Sequence, residues 1–152
     1  MQVLSPEAGM PSTAVVESSV VIAAPLETVW QFTVDVTRWP EWCTTIQAAN
    51  VQDADQLSMG TKFLLKQPMQ PKRSWQVTEL VPNRVAAWRT IDEKACFEAR
   101  HVLVDKATSV ESTLQLRIVP TWLPLQSLLT IAFKAALSRE NRALKVVCEG
   151  PS

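Results

Sequence analysis

Residues 124–147, PLQSLLTIAFKAALSRENRALKVV, carry the strongest periodic pattern in the 152-residue chain. At about 1.5 Å of rise per residue they would form a helix roughly 36 Å long, enough to cross a small domain. At 100° per residue, one wide stripe collects Leu125, Leu128, Leu129, Ala132, Ala135, Ala136, Ala143, Val146 and Val147. The pattern predicts a long helix whose apolar stripe faces the core.

The opposite face of this helix is predicted to face solvent, since it collects Ser127, Thr130, Lys134, Ser138, Asn141 and Lys145. Arg139 lies inside the apolar stripe and Glu140 at its edge. This charged pair should therefore face, or nearly face, whatever the helix covers. Pro124 suits a first helical turn, and Gly150 with Pro151 forms a stop signal.

The composition indicates one globular domain without a charge bias. Lys and Arg together number 15, as do Asp and Glu, which disfavours nucleic acid as a partner. No apolar run reaches about 18 residues, and residues 1–10 lack the pattern of a signal peptide, so we expect a cytoplasmic protein without stable membrane insertion. The three scattered cysteines indicate reduced thiols. Neither a metal site nor a cofactor is predicted, because no ligand spacing or phosphate-binding loop occurs.

Upstream of the long helix, short apolar runs alternate with turn residues, as in antiparallel sheets. We predict a first strand over 13–23, a helix opened by Pro25 and running to about Val34, and a second brief helix capped by Thr37. Six more strands are predicted over 45–51, 61–66, 73–81, 84–91, 95–104 and 109–118.

Three tight turns set the register of the last four strands. The predicted pairs are Leu80–Val85, Val77–Trp88, Trp75–Thr90, Trp88–Phe97, Ala99–Leu114 and His101–Ser112. Because paired residues share a face, one apolar surface collects Trp75, Val77, Glu79, Ala86, Trp88, Thr90, Phe97, Ala99, His101, Leu103, Val110, Ser112, Leu114, Leu116 and Ile118. Only the long helix is large enough to cover that surface.

Three segments carry a family resemblance: VIAAP at 21–25 leading into ETVW at 27–30, Asp35 with RWPEW at 38–42, and VTELVP at 77–82 followed by Trp88. In this order the chain resembles the START-like or SRPBCC superfamily, the helix-grip fold of birch-pollen-allergen-like, polyketide cyclase and dehydrase-like, and lipid-transfer proteins. The likeness covers nearly the whole chain beyond residue 12.

The resemblance implies an α+β helix-grip domain over 13–148, with tails at 1–12 and 149–152. A curved antiparallel sheet of about seven strands would wrap around the long C-terminal helix, with two short helices between strands 1 and 2. Members share the fold and differ in function, so the likeness implies a cavity more strongly than a reaction.

His101 is the only histidine, and the predicted register points its ring into the interior. Imidazole titrates near neutral pH, which makes His101 the candidate catalytic acid or base. The alternative is a core histidine hydrogen-bonded to Ser112 or to a backbone carbonyl. No carboxylate lies at a spacing that would orient the ring, and no catalytic trio with a cysteine can be assembled.

Glu79 is predicted to share the inner face with Trp75 and Trp88, where burial raises the pKa of a carboxyl unless a cation is near. Arg139 is the candidate cation, and the two could orient the polar head of a ligand. The alternative is a structural ion pair or a rim position. Glu140 is interpreted as a rim residue.

Aromatic side chains are the main candidates for the cavity wall. The predicted ligand-binding set is Trp42, Phe63, Trp75, Glu79, Trp88, Phe97, His101, Leu114, Leu129, Phe133 and Arg139. The alternative is that the indole and phenyl rings fill the interior and leave no cavity.

These observations favour a module that binds a hydrophobic small molecule, such as a lipid, a quinone or a polyketide-like aromatic. One alternative is a cyclase or dehydratase-type enzyme in which His101 transfers a proton, although the absence of tyrosine removes a common proton donor. Another is a protein-interaction module like the chaperone-activating members of the superfamily. Protein partners and oligomeric state stay open.

Overall fold

The computed structural model describes residues 14–68, 70–91, 96–119 and 126–150, without the side chains of Ala14, Val119 and residues 126–129. The proposed N-terminal tail lies outside these residues. The strands are β1 Ala14–Ile22, β2 Ala48–Val51, β3 Lys62–Lys66, β4 Arg73–Val81, β5 Val85–Thr90, β6 Cys96–Asp105 and β7 Val110–Val119. The helices are α1 Leu26–Val34, α2 Trp39–Trp42 and α3 Gln126–Glu149, with a 3₁₀ turn at Val36–Arg38 before α2.

The seven strands form one antiparallel sheet in the order β1-β7-β6-β5-β4-β3-β2. The short helices connect β1 to β2, and α3 packs against the concave face of the curved sheet. The predicted helix-grip architecture is therefore confirmed. Near the second helix, Thr37 is not the cap we expected: the 3₁₀ turn begins after Asp35, and Thr37 Oγ1 lies 3.1 Å from Asp35 Oδ1.

The strand register differs from the prediction by two residues at two of the three turns. Trp88 lies opposite Ala99 rather than Phe97, and β6 is displaced against β7 by the same amount, so that His101 lies opposite Leu114. Side chains alternate between faces with a period of two, so a two-residue shift leaves each on its predicted face. Trp88 and His101 accordingly share the concave face, with ring centroids 4.8 Å apart.

A β-bulge between Val77 and Glu79 changes the face of one predicted site residue. The register before the bulge pairs Val77 with Trp88 as expected, whereas after it Glu79 pairs with Ala87. The extra residue in the bulge inverts the alternation. Glu79 therefore lies on the convex face beside Arg100, with 3.4 Å between its Oε1 and the guanidinium Nη2, and the predicted Leu80–Val85 pair is wrong.

The face of α3 that meets the sheet is not the predicted stripe. Leu137, Asn141 and Leu144 are buried, with Asn141 only 1% exposed, whereas Ile131 and Val146 are 66% and 65% exposed. Of the six stripe residues whose side chains are described, four are alanines, which contribute little burial energy and tolerate solvent. The buried face is formed instead by the two bulky leucines together with Asn141.

The polar side of α3 lies along the free edge of β1 rather than in open solvent. Lys134 Nζ donates to the carbonyl of Glu17 at 2.6 Å, and Lys145 Nζ donates to that of Val21 at 2.7 Å. At the end of the strand, the backbone N–H of Ala23 donates to Glu149 Oε2 at 2.8 Å. These contacts occupy backbone groups that an edge strand would otherwise leave unpaired.

None of the helices in the described part of the chain combines the length and the apolar character needed to cross a membrane. The core has two parts. The larger one joins α1, α2 and the C-terminal half of α3 to the sheet. The smaller one joins Leu137 to Val16, Leu114 and Leu116 on β1 and β7. Between them an enclosed space remains.

Candidate functional site

The main cavity lies between the concave face of the sheet and α3 and has a volume of about 80 Å³. Its wall is predominantly aromatic and aliphatic. The lining residues are Trp39, Ile46, Leu65, Gln67, Gln70, Arg73, Trp75, Trp88, Phe97, Ala99, His101, Leu114, Gln115, Leu116, Phe133, Ala136, Leu137 and Glu140. The rings of Trp75 and Trp88 are almost fully buried and fill much of the interior, but they leave this space between them and α3.

Aromatic rings in mutual contact hold the inner wall in place. The ring centroid of Trp39 lies 5.6 Å from that of Trp88 and 6.1 Å from that of His101. Phe63, which is fully buried, meets Trp88 edge-on at 5.3 Å and supports it from behind. Trp39 is further fixed because its Nε1 donates to the carbonyl of Phe32 at 3.1 Å.

The other end of the cavity is bounded by a row of side chains that runs from the sheet to α3. The guanidinium carbon of Arg73 lies 4.8 Å from the ring centroid of Phe97. Phe97 in turn meets Phe133 of α3 at 5.6 Å. Arg73 Nε also donates to Gln70 Oε1 at 3.2 Å, so the one arginine of this wall is engaged by its neighbours.

His101 on β6 and Glu140 on α3 are the ionisable groups of the inner wall. Among the described residues, neither side chain has a hydrogen-bond or ion-pair partner, and Ser112 donates to Asn141 instead of bonding His101. Burial lowers the pKa of the His101 imidazole to about 4 and raises the pKa of the Glu140 carboxyl to about 7. At neutral pH the imidazole is thus uncharged, and the carboxyl is divided between its two forms.

A smaller cavity of about 20 Å³ adjoins the first and shares His101 and Glu140 with it. Its remaining wall includes Trp42 and Cys43. Burial raises the pKa of the Cys43 thiol, which is therefore protonated at neutral pH. In the described part of the chain, no group of three or more His, Cys, Asp or Glu side chains is arranged to hold a metal ion.

Two buried indole N–H groups point to unused hydrogen-bonding capacity around these cavities. Nε1 of Trp75, in the main cavity wall, and Nε1 of Trp42, in the small one, have no hydrogen-bond partner within the described residues. A buried donor without a partner costs about 1–3 kcal/mol. A ligand with an acceptor atom could offset that cost.

The structure brings together most of the predicted ligand-binding residues. The main cavity is lined by Trp75, Trp88, Phe97, His101, Leu114 and Phe133. Trp42 lines the small cavity, and Phe63 lies behind the wall. For Leu129, the side chain is outside the described residues. Whether any of these residues contacts a ligand stays a prediction.

Glu79 and Arg139 are far from the positions that a ligand-binding pair would need. Glu79 is on the convex face because of the bulge, and Arg139 is exposed on α3, in an open groove beside Trp42 and Val146. The predicted partnership between them is wrong. The residue that enters the cavity from this part of α3 is Glu140, which we had interpreted as a rim position.

Glu140 could have been found from the spacing of the bulky residues alone. It lies three residues after Leu137 and four before Leu144, the two large buried side chains of the described part of α3. Residues at these separations share one helical face. The other lining residues outside the predicted ligand-binding set are Trp39, Ile46, Leu65, Gln67, Gln70, Arg73, Ala99, Gln115, Leu116, Ala136 and Leu137.

The fold and cavity agree with the comparisons with known proteins. A family model described as polyketide cyclase / dehydrase and lipid transport matches residues 13–149. The chain therefore belongs to this family, within the START-like superfamily. Membership supports a role in binding a hydrophobic ligand or in polyketide-related chemistry. No curated protein shows significant similarity to the chain.

Several solved structures share the fold at low sequence identity. The hypothetical protein jhp0584 from Helicobacter pylori has 16% identity and a TM-score of 0.78, with 97% of each chain covered. A START superfamily protein from Mycobacterium smegmatis has 18% identity and a TM-score of 0.73, covering 89% of this chain and 97% of the other. The Zhui aromatase/cyclase from a Streptomyces species has 16% identity and a TM-score of 0.69, covering 90% and 94%.

Proposed function

We propose that this protein binds a compact, largely apolar small molecule in the main cavity, with His101 and Glu140 meeting its polar end. The observation that carries the proposal is the placement of two ionisable side chains, unpaired among the described residues, in the wall of an aromatic-lined cavity. Such groups are costly to bury. A binding site gives them a use that a packed core does not.

The size of the cavity restricts the ligand. Typical small-molecule sites have volumes of about 300–1,000 Å³, whereas this one has about 80 Å³. A single aromatic ring or a short acyl group is the appropriate scale, and a lipid or polyketide chain would require the walls to move. Burying about 150 Å² of an aromatic ring at about 25 cal/mol per Å² contributes roughly 4 kcal/mol before the costs of association. We therefore expect weak binding unless the polar end contributes.

The second candidate function is proton transfer to or from a bound substrate, with Glu140 rather than His101 as the acid or base. A pKa of about 7 suits a general acid–base group at neutral pH. An imidazole with a pKa of about 4 is a weak base, and at neutral pH it lacks the second, acidic proton that a general acid would donate. Turnover distinguishes the two candidate functions, because a binding module releases its ligand unchanged and an enzyme releases a product.

The proposal is tested by filling the cavity. Ala136 lines it, whereas Ala132 is exposed on the same helix, so Ala136→Leu and Ala132→Leu form a matched pair. Benzyl alcohol serves as the probe, followed through tryptophan fluorescence. We expect Ala136→Leu to weaken binding at least fivefold and Ala132→Leu to leave it unchanged. Equal binding by both variants, with melting temperatures near the parent value, would place the probe elsewhere and contradict the proposal.

Protein purified from its cells gives an independent test through native mass spectrometry. A retained mass of up to a few hundred daltons, lost in Ala136→Leu and kept in Ala132→Leu, supports binding in the cavity. Incubation of the released compound with fresh protein then separates the two candidates, because only an enzyme converts it to a product. Loss of that conversion in Glu140→Gln would favour proton transfer.

A further inference from the structure

The charges of the cavity wall specify the chemical class of the ligand's polar end. Resting on the proposed function, we propose that this end is a protonated amine, held by the carboxylate of Glu140 within the aromatic enclosure. The site would thus select compact aromatic or alkyl amines over alcohols of the same shape. It would reject carboxylates, including the head group of a fatty acid.

The first argument is a charge balance over the residues that line the cavity. Among the described residues that line the cavity, Arg73 and Glu140 carry a formal charge. Arg73 is engaged with Gln70 and stacks over Phe97. Glu140 has no cation beside it in the described part of the chain. The two charges cancel over the described lining but are not paired with each other, so the Glu140 carboxyl is the lining group with which a ligand cation could pair.

The second argument is the free-energy cost of burying the Glu140 carboxylate without a cation. A carboxylate taken out of water is expensive unless a cation or several donors meet it. The described residues supply none to Glu140, whose side chain is partly buried and borders both cavities. A ligand ammonium would supply the missing partner through a charge-assisted hydrogen bond. A ligand carboxylate would instead place a second negative charge in the same enclosure.

The third argument is the nature of the remaining wall. Trp39, Trp75 and Trp88 all line the cavity. The face of an indole ring attracts cations, an effect of about 0.5–2 kcal/mol that increases as the cation loses water. The neutral imidazole of His101, stacked at 4.8 Å on Trp88, can also accept a hydrogen bond from an N–H group. The wall that contains Glu140 thus carries a neutral imidazole and several aromatic faces, together with the unpaired indole donor of Trp75.

The amine class makes a specific prediction about pH. The titratable or charged groups that share the cavities with Glu140 are His101 from β6, Cys43 after α2, and Arg73 from β4. Burial keeps the imidazole of His101 and the thiol of Cys43 neutral between pH 6 and 8, so of these two groups and Glu140, only Glu140 changes its charge in that range. Its ionised fraction increases through this range because its pKa is about 7. An amine that remains protonated should bind more tightly as the pH rises, while a neutral alcohol should not.

The experiment compares benzylamine, benzyl alcohol and benzoate, which share one ring, by isothermal titration calorimetry at pH 8. We expect benzylamine to bind at least tenfold more tightly than benzyl alcohol, and benzoate to bind more weakly than either. Glu140→Gln should lower the affinity for benzylamine at least tenfold, with a smaller loss for benzyl alcohol, so that the advantage of the amine disappears. Glu27→Gln removes an exposed carboxylate on α1 and should leave all three affinities unchanged.

A measurement on the unmodified protein keeps the test independent of how the variants fold. At pH 7 the binding of benzylamine should release roughly half a proton, detected as a dependence of the binding enthalpy on buffer ionisation, because Glu140 must ionise. If benzyl alcohol binds, but benzylamine binds no better and releases no proton, the amine inference is overturned and the proposed binding function stands. If none of the three probes binds, both are overturned.

Discussion

Ser112 of β7 and Asn141 of α3 are joined by two hydrogen bonds in the interior. Ser112 Oγ donates to Asn141 Oδ1 at 2.9 Å, and Asn141 Nδ2 donates to the carbonyl of Ser112 at 2.9 Å and to that of Ser18 at 3.0 Å. Asn141 and Ser112 are 1% and 0% exposed. The amide thus ties the helix to two adjacent strands and fixes its rotation about its own axis.

Asn141→Ala should lower the free energy of unfolding by about 2–4 kcal/mol, because it removes three hydrogen bonds and leaves buried Ser112 without its acceptor. Urea denaturation measures the change. Arg142→Ala alters the next residue, which is exposed, and should change stability by less than about 0.5 kcal/mol. A loss below about 1 kcal/mol in Asn141→Ala would show that the amide does not anchor α3.

This polar anchor explains why the orientation of α3 could not be predicted from its sequence. A count of apolar positions gives equal weight to an alanine and a leucine, and it places asparagine on the solvent-facing side of the helix. In the structure, Asn141 can be buried because its side chain forms hydrogen bonds to β1 and β7. A pattern of apolar residues along the helix contains no information about such hydrogen bonds. The length of the helix and its role as the cover of the sheet could be predicted, since neither depends on the orientation.

A pair of substitutions on α3 tests the orientation directly. Leu144 is 3% exposed and Val146 is 65% exposed. Leu144→Ala should cost about 2–5 kcal/mol, as large-to-small changes in a core do, and Val146→Ala should cost less than about 0.5 kcal/mol. The predicted apolar stripe would give a substantial cost for Val146→Ala, so comparable losses in the two variants would contradict the structure.

The inner face of the sheet was predicted more successfully than its register. Loop lengths at the β5–β6 and β6–β7 turns are not fixed by composition, and both pairings moved by two residues. A shift of two residues does not change the face of the sheet on which a side chain lies, so Trp88, Phe97 and His101 remain on the same face. The bulge beside Thr78 shifts the pairing of β4 with β5 by one residue, and no turn residue or glycine in the sequence indicates it. Glu79 therefore lies on the opposite face from the one expected.

Glu79→Gln should change neither the cavity nor the stability appreciably. Its ion pair with Arg100 is largely in solvent, with side-chain exposures of 43% and 47%, and exposed pairs contribute about 0–1 kcal/mol. Benzyl alcohol affinity in this variant should equal that of the parent protein. A several-fold loss of affinity would instead indicate that Glu79 reaches the ligand, which the observed register does not allow.

Trp42 separates the small cavity from the outer groove that contains Arg139, and it lies beside the buried thiol of Cys43. Cys43 is 3% exposed and should resist alkylation by iodoacetamide in the folded protein, because both burial and a raised pKa suppress its thiolate. Trp42→Ala should open the wall and accelerate labelling of Cys43 at least tenfold, as measured by peptide mass spectrometry. Labelling of Cys148 in the same sample is the internal control and should stay constant; an equal increase at both thiols would indicate general unfolding.

The two ionisable residues of the cavity should have opposite effects on stability as the pH changes. The pKa of Glu140 rises from 4.5 to about 7 on folding. Between these values the folded protein holds a proton that the unfolded chain has lost, so this group makes stability fall as pH rises. The pKa of His101 falls from 6.5 to about 4. Between those values the unfolded chain holds the extra proton, so this group makes stability rise with pH.

Between pH 4.5 and 6.5 the two contributions offset each other in the parent protein, and single substitutions should separate them. Relative to the parent, Glu140→Gln should become more stable as the pH rises, because only His101 still contributes, and His101→Gln should become less stable. Each difference should have a slope of up to about 1.4 kcal/mol per pH unit. Urea denaturation at pH 4.5, 5.5 and 6.5 measures both. Groups present in all three proteins, such as Glu149, cancel in the differences. Parallel profiles for the three proteins would mean that neither side chain is desolvated, and the site would then lack the unpaired groups on which ligand binding was inferred.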